Sequence, residues 1–274
     1  MTRVELHHGA ATDVGRVRQV NEDAYVAVPP VYAVADGMGG HEGGDVASAI
    51  AVEELARLAE AGYDPRHGAE AVAAAVDAAQ RRILEYADEQ ARHGVERRRS
   101  AGTTVVAALL VEGDTGPAWL LANLGDSRVY RFAGGRLEQI STDHSLVQEL
   151  LDAGRITPDE VATHPERNVI TRALGDGVGV EADYFVVPIR DAERLLLCTD
   201  GVSGMLDDDA IAMILAEAAD PRDAADRVVA AAVAAGGEDN ATAIVVDVVG
   251  WGVDDSYDSE RQRASLEEKL GARP

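Results

Sequence analysis

At 274 residues, with 46% hydrophobic and 27% charged side chains, the chain is long enough for a substantial core and ordinary in composition for a globular protein. A formal charge of -24, from 49 acids against 25 bases, argues against nucleic acid or an anionic membrane as partner. One cysteine, Cys198, excludes an internal disulfide, no apolar run reaches the length of a membrane span, and the first residues lack the apolar segment of a signal peptide, so the expected location is cytoplasmic.

In chain order, residues 3–6 read as a first short strand. A charged extended segment, 13–23, leads to a strand over 24–28 that Pro29-Pro30 ends. Residues 31–35 are uniformly apolar and read as a buried strand running straight into Asp36-Gly37-Met38-Gly39-Gly40. Asp45 reads as the N-cap of a helix to about 61, stopped by Gly62. An alanine-rich helix starts near Pro65 or His67 and runs to about 93, with Gly94 as its C-terminal glycine. Arg97-Arg98-Arg99 reads most simply as a solvated basic loop, with phosphopeptide steering as the alternative.

Residues 103–111 and 118–124 read as strands about a turn, and 128–132 with 136–140 as a hairpin. The middle of the chain is therefore expected to be an antiparallel meander, with no βαβ repeat and no nucleotide-binding glycine fingerprint. A short helix over 143–153 ends at Gly154, and 155–179 reads as irregular, a long loop of the functional kind. Strands over 184–189 and 195–199, helices over 207–218 and 221–235, and a last strand over 241–248 follow. The expected organisation is one domain over 1–249 and a polar tail over 250–274.

Apolar strands meet an Asp in a glycine-bearing turn at three places: VYAVAD-GMGG at Asp36, LLLCTD-GVSG at Asp200, and GGED-N at Asp239, before the last strand. LLANLGD-S, ending at Asp126, resembles them. A carboxylate at the lip of a core is costly unless something offsets its charge, and glycine lets a carbonyl turn toward whatever sits beside the acid. Together the acids suggest oxygen ligands converging on Mg²⁺ or Mn²⁺, the alternative being a solvated rim of unrelated acids. Zinc is disfavoured, because the seven histidines show no HExxH spacing and no Cys cluster exists. Paired cations of this kind suit phosphate-ester hydrolysis, which also needs a fixed cation to grip phosphoryl oxygens. Arg18, five residues before Asp23, is the candidate; its alternative is a surface arginine paired with a neighbouring acid.

The blocks DVGRVRQVNEDA, VADGMGGHEGGDVAS, SAGTTVVAALL, NLGDSRVYR, STDHSLVQELLDAGRIT, HPERNVITRALG, LLLCTDGVSG and GGEDNATAIVV run in order from about 13 to 248. In these the chain resembles the PP2C-type (PPM) metal-dependent protein Ser/Thr phosphatases, in particular their bacterial branch. The resemblance implies an α+β fold: a four-layer α-β-β-α sandwich of two antiparallel sheets flanked by helices, with a metal centre at one end. It implies that Asp36 bridges two Mn²⁺ or Mg²⁺ ions, that the Gly37 carbonyl binds one, and that Asp200 and Asp239 hold the other. Asp126 matches an acid of a third metal site in bacterial members, Asp23 and Glu22 would order waters on the ions, and Arg18 would grip the substrate phosphate. The implied reaction is direct in-line attack by a metal-bridging hydroxide on phosphoserine or phosphothreonine.

Two departures accompany it. Met38 stands where eukaryotic members carry a histidine proposed as the general acid; His41 matches the bacterial DGMGGH and is the candidate for that role, the alternative being that it only hydrogen-bonds behind the groups that hold the ions. In the irregular segment Asn168 and His164 lie near the place of a further third-site ligand, and neither is a carboxylate. Residues 143–179 resemble a substrate-gating flap. The expected partners are phosphoproteins, with a Ser/Thr kinase or its substrates among them, met by a monomer. A catalytically silent phosphoprotein-binding module is the competing reading, and a two-metal hydrolase of small phosphate esters the third.

Overall fold

The computed structural model describes residues 2–39, 43–92, 101–176 and 180–253, with side chains from Val4 to Gly250 within them. His41, Gly94, the Arg97–Arg99 run and residues 254–274 lie outside the described residues.

Two five-stranded antiparallel sheets face each other. The first has the order β1 (Thr2–Asp13), β12 (Ala241–Val253), β11 (Arg194–Cys198), β8 (Arg128–Ala133), β9 (Arg136–Gln139). The second has the order β10 (Asp183–Pro188), β7 (Gly116–Leu124), β6 (Val105–Gly113), β3 (Val31–Ala35), β2 (Ala24–Val28). Alternation along each strand sends one set of side chains inward and the other toward helices. On β3, Tyr32 and Val34 pack against Leu195, Leu197 and Ile244 of the facing sheet, while Val31, Ala33 and Ala35 pack under helices. Both faces of β3 are covered, which is why its sequence is uniformly apolar.

Helices α1 (Gly44–Ala61) and α2 (Gly68–Arg92) cover the outer face of the second sheet. The outer face of the first is covered by a single turn, α5 (Asp200–Ser203), with α6 (Asp208–Glu217) and α7 (Pro221–Ala235). The expected four-layer sandwich is therefore observed. Each fully buried Leu, Val or Phe-sized side chain contributes about 1.5–3 kcal/mol, so three apolar layers, not the charged mouth, hold the fold.

The expected meander is corrected. The β6–β7 and β8–β9 hairpins belong to different sheets, and the chain crosses between them at Gly125-Asp126-Ser127. Apolar alternation says that a strand is half-buried but not which sheet it joins. Gly125 has φ +111°, and a Cβ there would run into Thr104, so the crossing requires glycine.

Other boundaries shift for local reasons. The first strand spans Thr2–Asp13 and pairs along its whole length with β12, which runs through Val253 instead of stopping at 248. Gly250 to Val253 gain ladder partners from β1 that their own composition does not advertise. The N-cap of α1 is Gly43; Asp45 lies in the first turn, where its charge suits the helix dipole. Pro65–His67 forms a separate 3₁₀ turn before α2. In the stretch read as helix and loop, α3 spans Leu146–Asp152, capped by Ser145, and α4 spans Pro158–Val161, set by a Thr157/Glu160 capping box.

Candidate metal centre at the strand ends

Asp36 leaves β3 and is held by main chain and side chain together. Its N–H donates to Thr104 Oγ1 at 3.0 Å, and its carbonyl accepts from Thr103 Oγ1 at 2.8 Å and from the Thr104 N–H at 2.9 Å. Gly37-Met38 then form a two-residue strand, β4 (Gly37–Met38), against β5 (Gly102–Thr103). A Cβ on Gly37 would collide with the Gly44 and Glu22 carbonyl oxygens, so the close approach of three segments depends on that glycine.

Asp200 arrives from the facing sheet at the end of β11 and opens α5. The sequence reading has a glycine turn there; Thr199 is instead the N-cap of a helical turn. Gly201 packs so tightly on the Asn240 carbonyl that no side chain fits, and this brings the Asp200 turn against Asp239-Asn240. Asp239 Oδ1 accepts the Asn240 N–H at 2.9 Å, and Oδ2 accepts from Arg18 Nη2 at 2.7 Å. Arg18 is about half exposed, and Asp239 holds its guanidinium more firmly protonated than usual against the opposing pull of burial.

Asp23 completes the group. Its Oδ2 accepts from Thr199 Oγ1 at 2.9 Å and from Thr242 Oγ1 at 2.7 Å, while Oδ1 has no partner among the described residues. Asp126 Oδ1 and Asp200 Oδ1 are likewise buried without partners. Burial, then the neighbouring carboxylates, push Asp23 and Asp126 up to about 7. Asp36 is raised well above the ordinary carboxylate range by burial and by the charges of Asp200 and Asp23. Asp200 is raised by burial, against a hydrogen bond from Asp36 that favours its charged form.

The structure thus brings Arg18, Asp23, Asp36, Asp126, Asp200 and Asp239 into one electrostatic neighbourhood, with Gly37 beside Asp36. Orphaned, mutually repelling carboxylate oxygens fit hard divalent cations and nothing softer. Among the described residues no three acid, imidazole or thiol groups close around a single point. Ions that keep most of their water and take one or two carboxylates each do not require such a cage. His41 lies outside the described residues, and His164 Nδ1 is occupied by the Glu166 N–H at 3.2 Å. Cys198 is sealed in the core, where burial pushes its thiol up to about 12.

Sequence reasoning missed Asn240, whose amide is the hub of the loop carrying Arg18. Its Oδ1 accepts the Glu22 N–H at 2.8 Å, and its Nδ2 donates to the Val14 and Val20 carbonyls at 3.0 Å each. It missed Thr199, Thr242 and Thr104 as well. Their signal was present, since each is a hydroxyl inside an otherwise apolar strand run.

The model of the family described as Protein phosphatase 2C matches residues 16–235. The chain is 36% identical over 251 residues to the serine/threonine phosphatase stp of Listeria welshimeri, covering 88% of this chain and 96% of that one. It is 38% identical over 257 residues to the serine/threonine protein phosphatase PstP of Mycobacterium tuberculosis, covering 92% of this chain and 47% of that protein. The solved catalytic domain of a serine/threonine protein phosphatase PstP in complex with two manganese ions superposes with a TM-score of 0.78 at 35% identity, covering 91% of this chain and 100% of that one.

Proposed function

The chain belongs to the protein phosphatase 2C family, and from that premise we propose that the acid mouth between its sheets is where phosphoserine and phosphothreonine are hydrolysed. The protein is a metal-dependent protein serine/threonine phosphatase. The observation that carries the assignment of its site is the trio of buried, partnerless oxygens on Asp23, Asp126 and Asp200. A module that only bound phosphoproteins would gain nothing from them, because uncompensated buried carboxylates weaken a fold.

In this reading Asp36 and the Gly37 carbonyl, with Asp200 and Asp239, hold two Mn²⁺ or Mg²⁺ ions, and Asp126 serves a third. When bound, such ions supply Lewis acidity to the phosphoryl oxygens and lower the pKa of the attacking water. The protein's own groups do the rest. Arg18 spends one donor on Asp239 and keeps the remainder of its planar fork for two phosphoryl oxygens. Asp23, pinned through Oδ2 by two hydroxyls, offers Oδ1 to orient the attacking water and take its proton. Glu22, fixed at its backbone by Asn240 and Ser48, orders water beside it. His41 gives a proton to the departing Ser or Thr oxygen. The sealed Cys198 is not a nucleophile, which agrees with direct transfer to water.

The substrates are phosphoproteins, and the finer reading is a cytoplasmic monomer opposing a Ser/Thr kinase. A single thiol and a charge of -24 support it. No helix among the described residues is long and apolar enough to cross a membrane.

The decisive assay is phosphate release from a phosphothreonine peptide with Mn²⁺, with EDTA, and in Asp239→Asn. Activity should require the metal and fall by about a hundredfold or more in the variant; equal rates in all three would reject the centre. His41→Ala should slow the peptide by about a hundredfold but p-nitrophenyl phosphate far less, since nitrophenolate leaves without a proton. Equal losses on both would remove His41 from the acid role.

A further inference from the structure

The imidazole of His144 is buried at the junction of three segments, and nothing in the reaction above uses it. Its Nδ1 accepts the Gly125 N–H at 3.1 Å, which places the ring proton on Nε2; that proton is donated to Asp183 Oδ2 at 3.1 Å. The main chain doubles the first link, since the His144 N–H donates to the Gly125 carbonyl at 2.9 Å. Gly125 precedes Asp126 in the crossing turn, and with Thr104 packed behind it the turn has little room to relax.

The second link leads to Arg172, near the end of a segment whose Leu174 bridges Thr103 beside Asp36. Arg172 grips both oxygens of Asp183, at 3.0 and 3.3 Å, and reaches the Glu181 carbonyl. The outgoing and returning limbs of residues 143–176 meet at the same place. The Thr171 N–H donates to the His144 carbonyl at 2.8 Å, the Leu146 N–H donates to the Val169 carbonyl at 2.9 Å, and Ser145 bridges Ile170. One ring therefore bonds the acid-bearing turn through Nδ1 and, through Nε2, the β10 carboxylate that Arg172 of the same segment also grips.

We propose that His144 is a positioning residue that registers its own segment, 143–176, against the Asp126 turn through Nδ1 and against Asp183 of β10 through Nε2. The inference rests on the reading of Asp126 as a metal-holding side chain. It divides its two nitrogens between a backbone that aims a ligand and a half-exposed carboxylate that Arg172 of the same segment also grips.

Two substitutions separate the halves. In His144→Asn the amide oxygen falls near the place of Nδ1, keeping the Gly125 bond and losing Asp183. In His144→Gln the amide nitrogen falls near Nε2, keeping Asp183 and losing Gly125. Mn²⁺ binding is measured calorimetrically without substrate, and KM and kcat separately on a phosphothreonine peptide. His144→Gln should weaken the weakest Mn²⁺ step by about tenfold with KM little changed. His144→Asn should leave Mn²⁺ binding as in the parent and raise KM by about tenfold. Parallel shifts of both quantities in both variants, or no shift in either, overturn the proposal. Should neither variant fold, Asp183→Ala at its half-exposed site carries the test: a raised KM with unchanged Mn²⁺ binding supports the proposal, and any other pattern overturns it. Failure of the underlying reading is seen separately, as a parent protein that binds no Mn²⁺ and releases no phosphate.

Discussion

Strand β11 has a buried charge at each end, and the two are treated in opposite ways. At its start Arg194 is only 9% exposed, and each of its three guanidinium nitrogens makes a hydrogen bond. Nε and Nη2 donate to the two oxygens of Asp247 on the neighbouring strand, at 2.6 and 2.8 Å, and Nη1 donates to the Leu215 carbonyl. Just past its other end Asp200 has an oxygen with no partner and faces four further carboxylates. Five residues separate a charge that is satisfied internally from one that is left open. The protein neutralises buried charge with its own side chains where only folding is at stake, and leaves that work to a ligand where chemistry is done.

Neutralising each end should therefore have opposite consequences. Asp200→Asn should lower phosphate release by about a thousandfold, yet raise the melting temperature of the EDTA-treated protein, because a repelling charge is gone. Asp247→Ala strands the Arg194 guanidinium and should cost about 3 kcal/mol of stability, with the rate per folded molecule nearly unchanged. Urea melts and active-site titration of both variants decide it. Were Asp200→Asn to destabilise the metal-free protein as Asp247→Ala does, the mouth would be an ordinary ion-pair network and the contrast would fail.

A smaller effect probes how the open end is kept in order. Thr242 Oγ1 donates to Asp23 Oδ2 and also meets Thr12 Oγ1 at 2.8 Å, so it ties the acid to β12 and β1 together. Thr242→Val preserves shape and removes the tie. The expected outcome is a fall of about tenfold in kcat, with Mn²⁺ affinity nearly unchanged, since Asp23 orients water in this reading. A loss of metal affinity larger than the loss of kcat would make Asp23 a ligand instead.

Much of this was legible in the chain. Asp36, Asp200 and Asp239 announce themselves because an acid after a run of Val, Leu or Ala, followed or preceded by glycine, has few structural reasons to exist. Strands 24–28 and 31–35 and helix 221–235 come out at their observed limits because Pro29-Pro30, Pro221 and Gly236 bracket strong patterns. What local pattern does not carry is partnership across the fold. Nothing in NLGDSR says that Gly125 carries the chain from one sheet to the other, and nothing in Asn240 alone says that it clamps Val14, Val20 and Glu22. Those contacts join residues more than two hundred positions apart, so only the tertiary structure reveals them. The extension of β12 to Val253 has the same origin, since its ladder partner is the opposite end of the chain.

The last expectation uses pH to separate the two ends of β11 without mutation. Burial and neighbouring carboxylates push Asp23 and Asp126 up to about 7 in the metal-free fold, against 3.8 for an ordinary aspartate. Between those values the folded protein binds more protons than the unfolded chain. By linkage, its stability is greatest at the acid side of that window and falls as pH rises through it. The melting temperature of the EDTA-treated protein should therefore drop by about 5 °C or more between pH 5.5 and pH 8. Mn²⁺ should abolish most of that slope, because a cation held at pH 8 replaces the lost protons and stabilises the native state by mass action. Asp247→Ala leaves Asp23 and Asp126 untouched, so it should show the parent's drop between the two pH values. A metal-free protein that grew more stable from pH 5.5 to pH 8 would mean that these carboxylates are already compensated by the chain itself, and the distinction between the two ends would be lost.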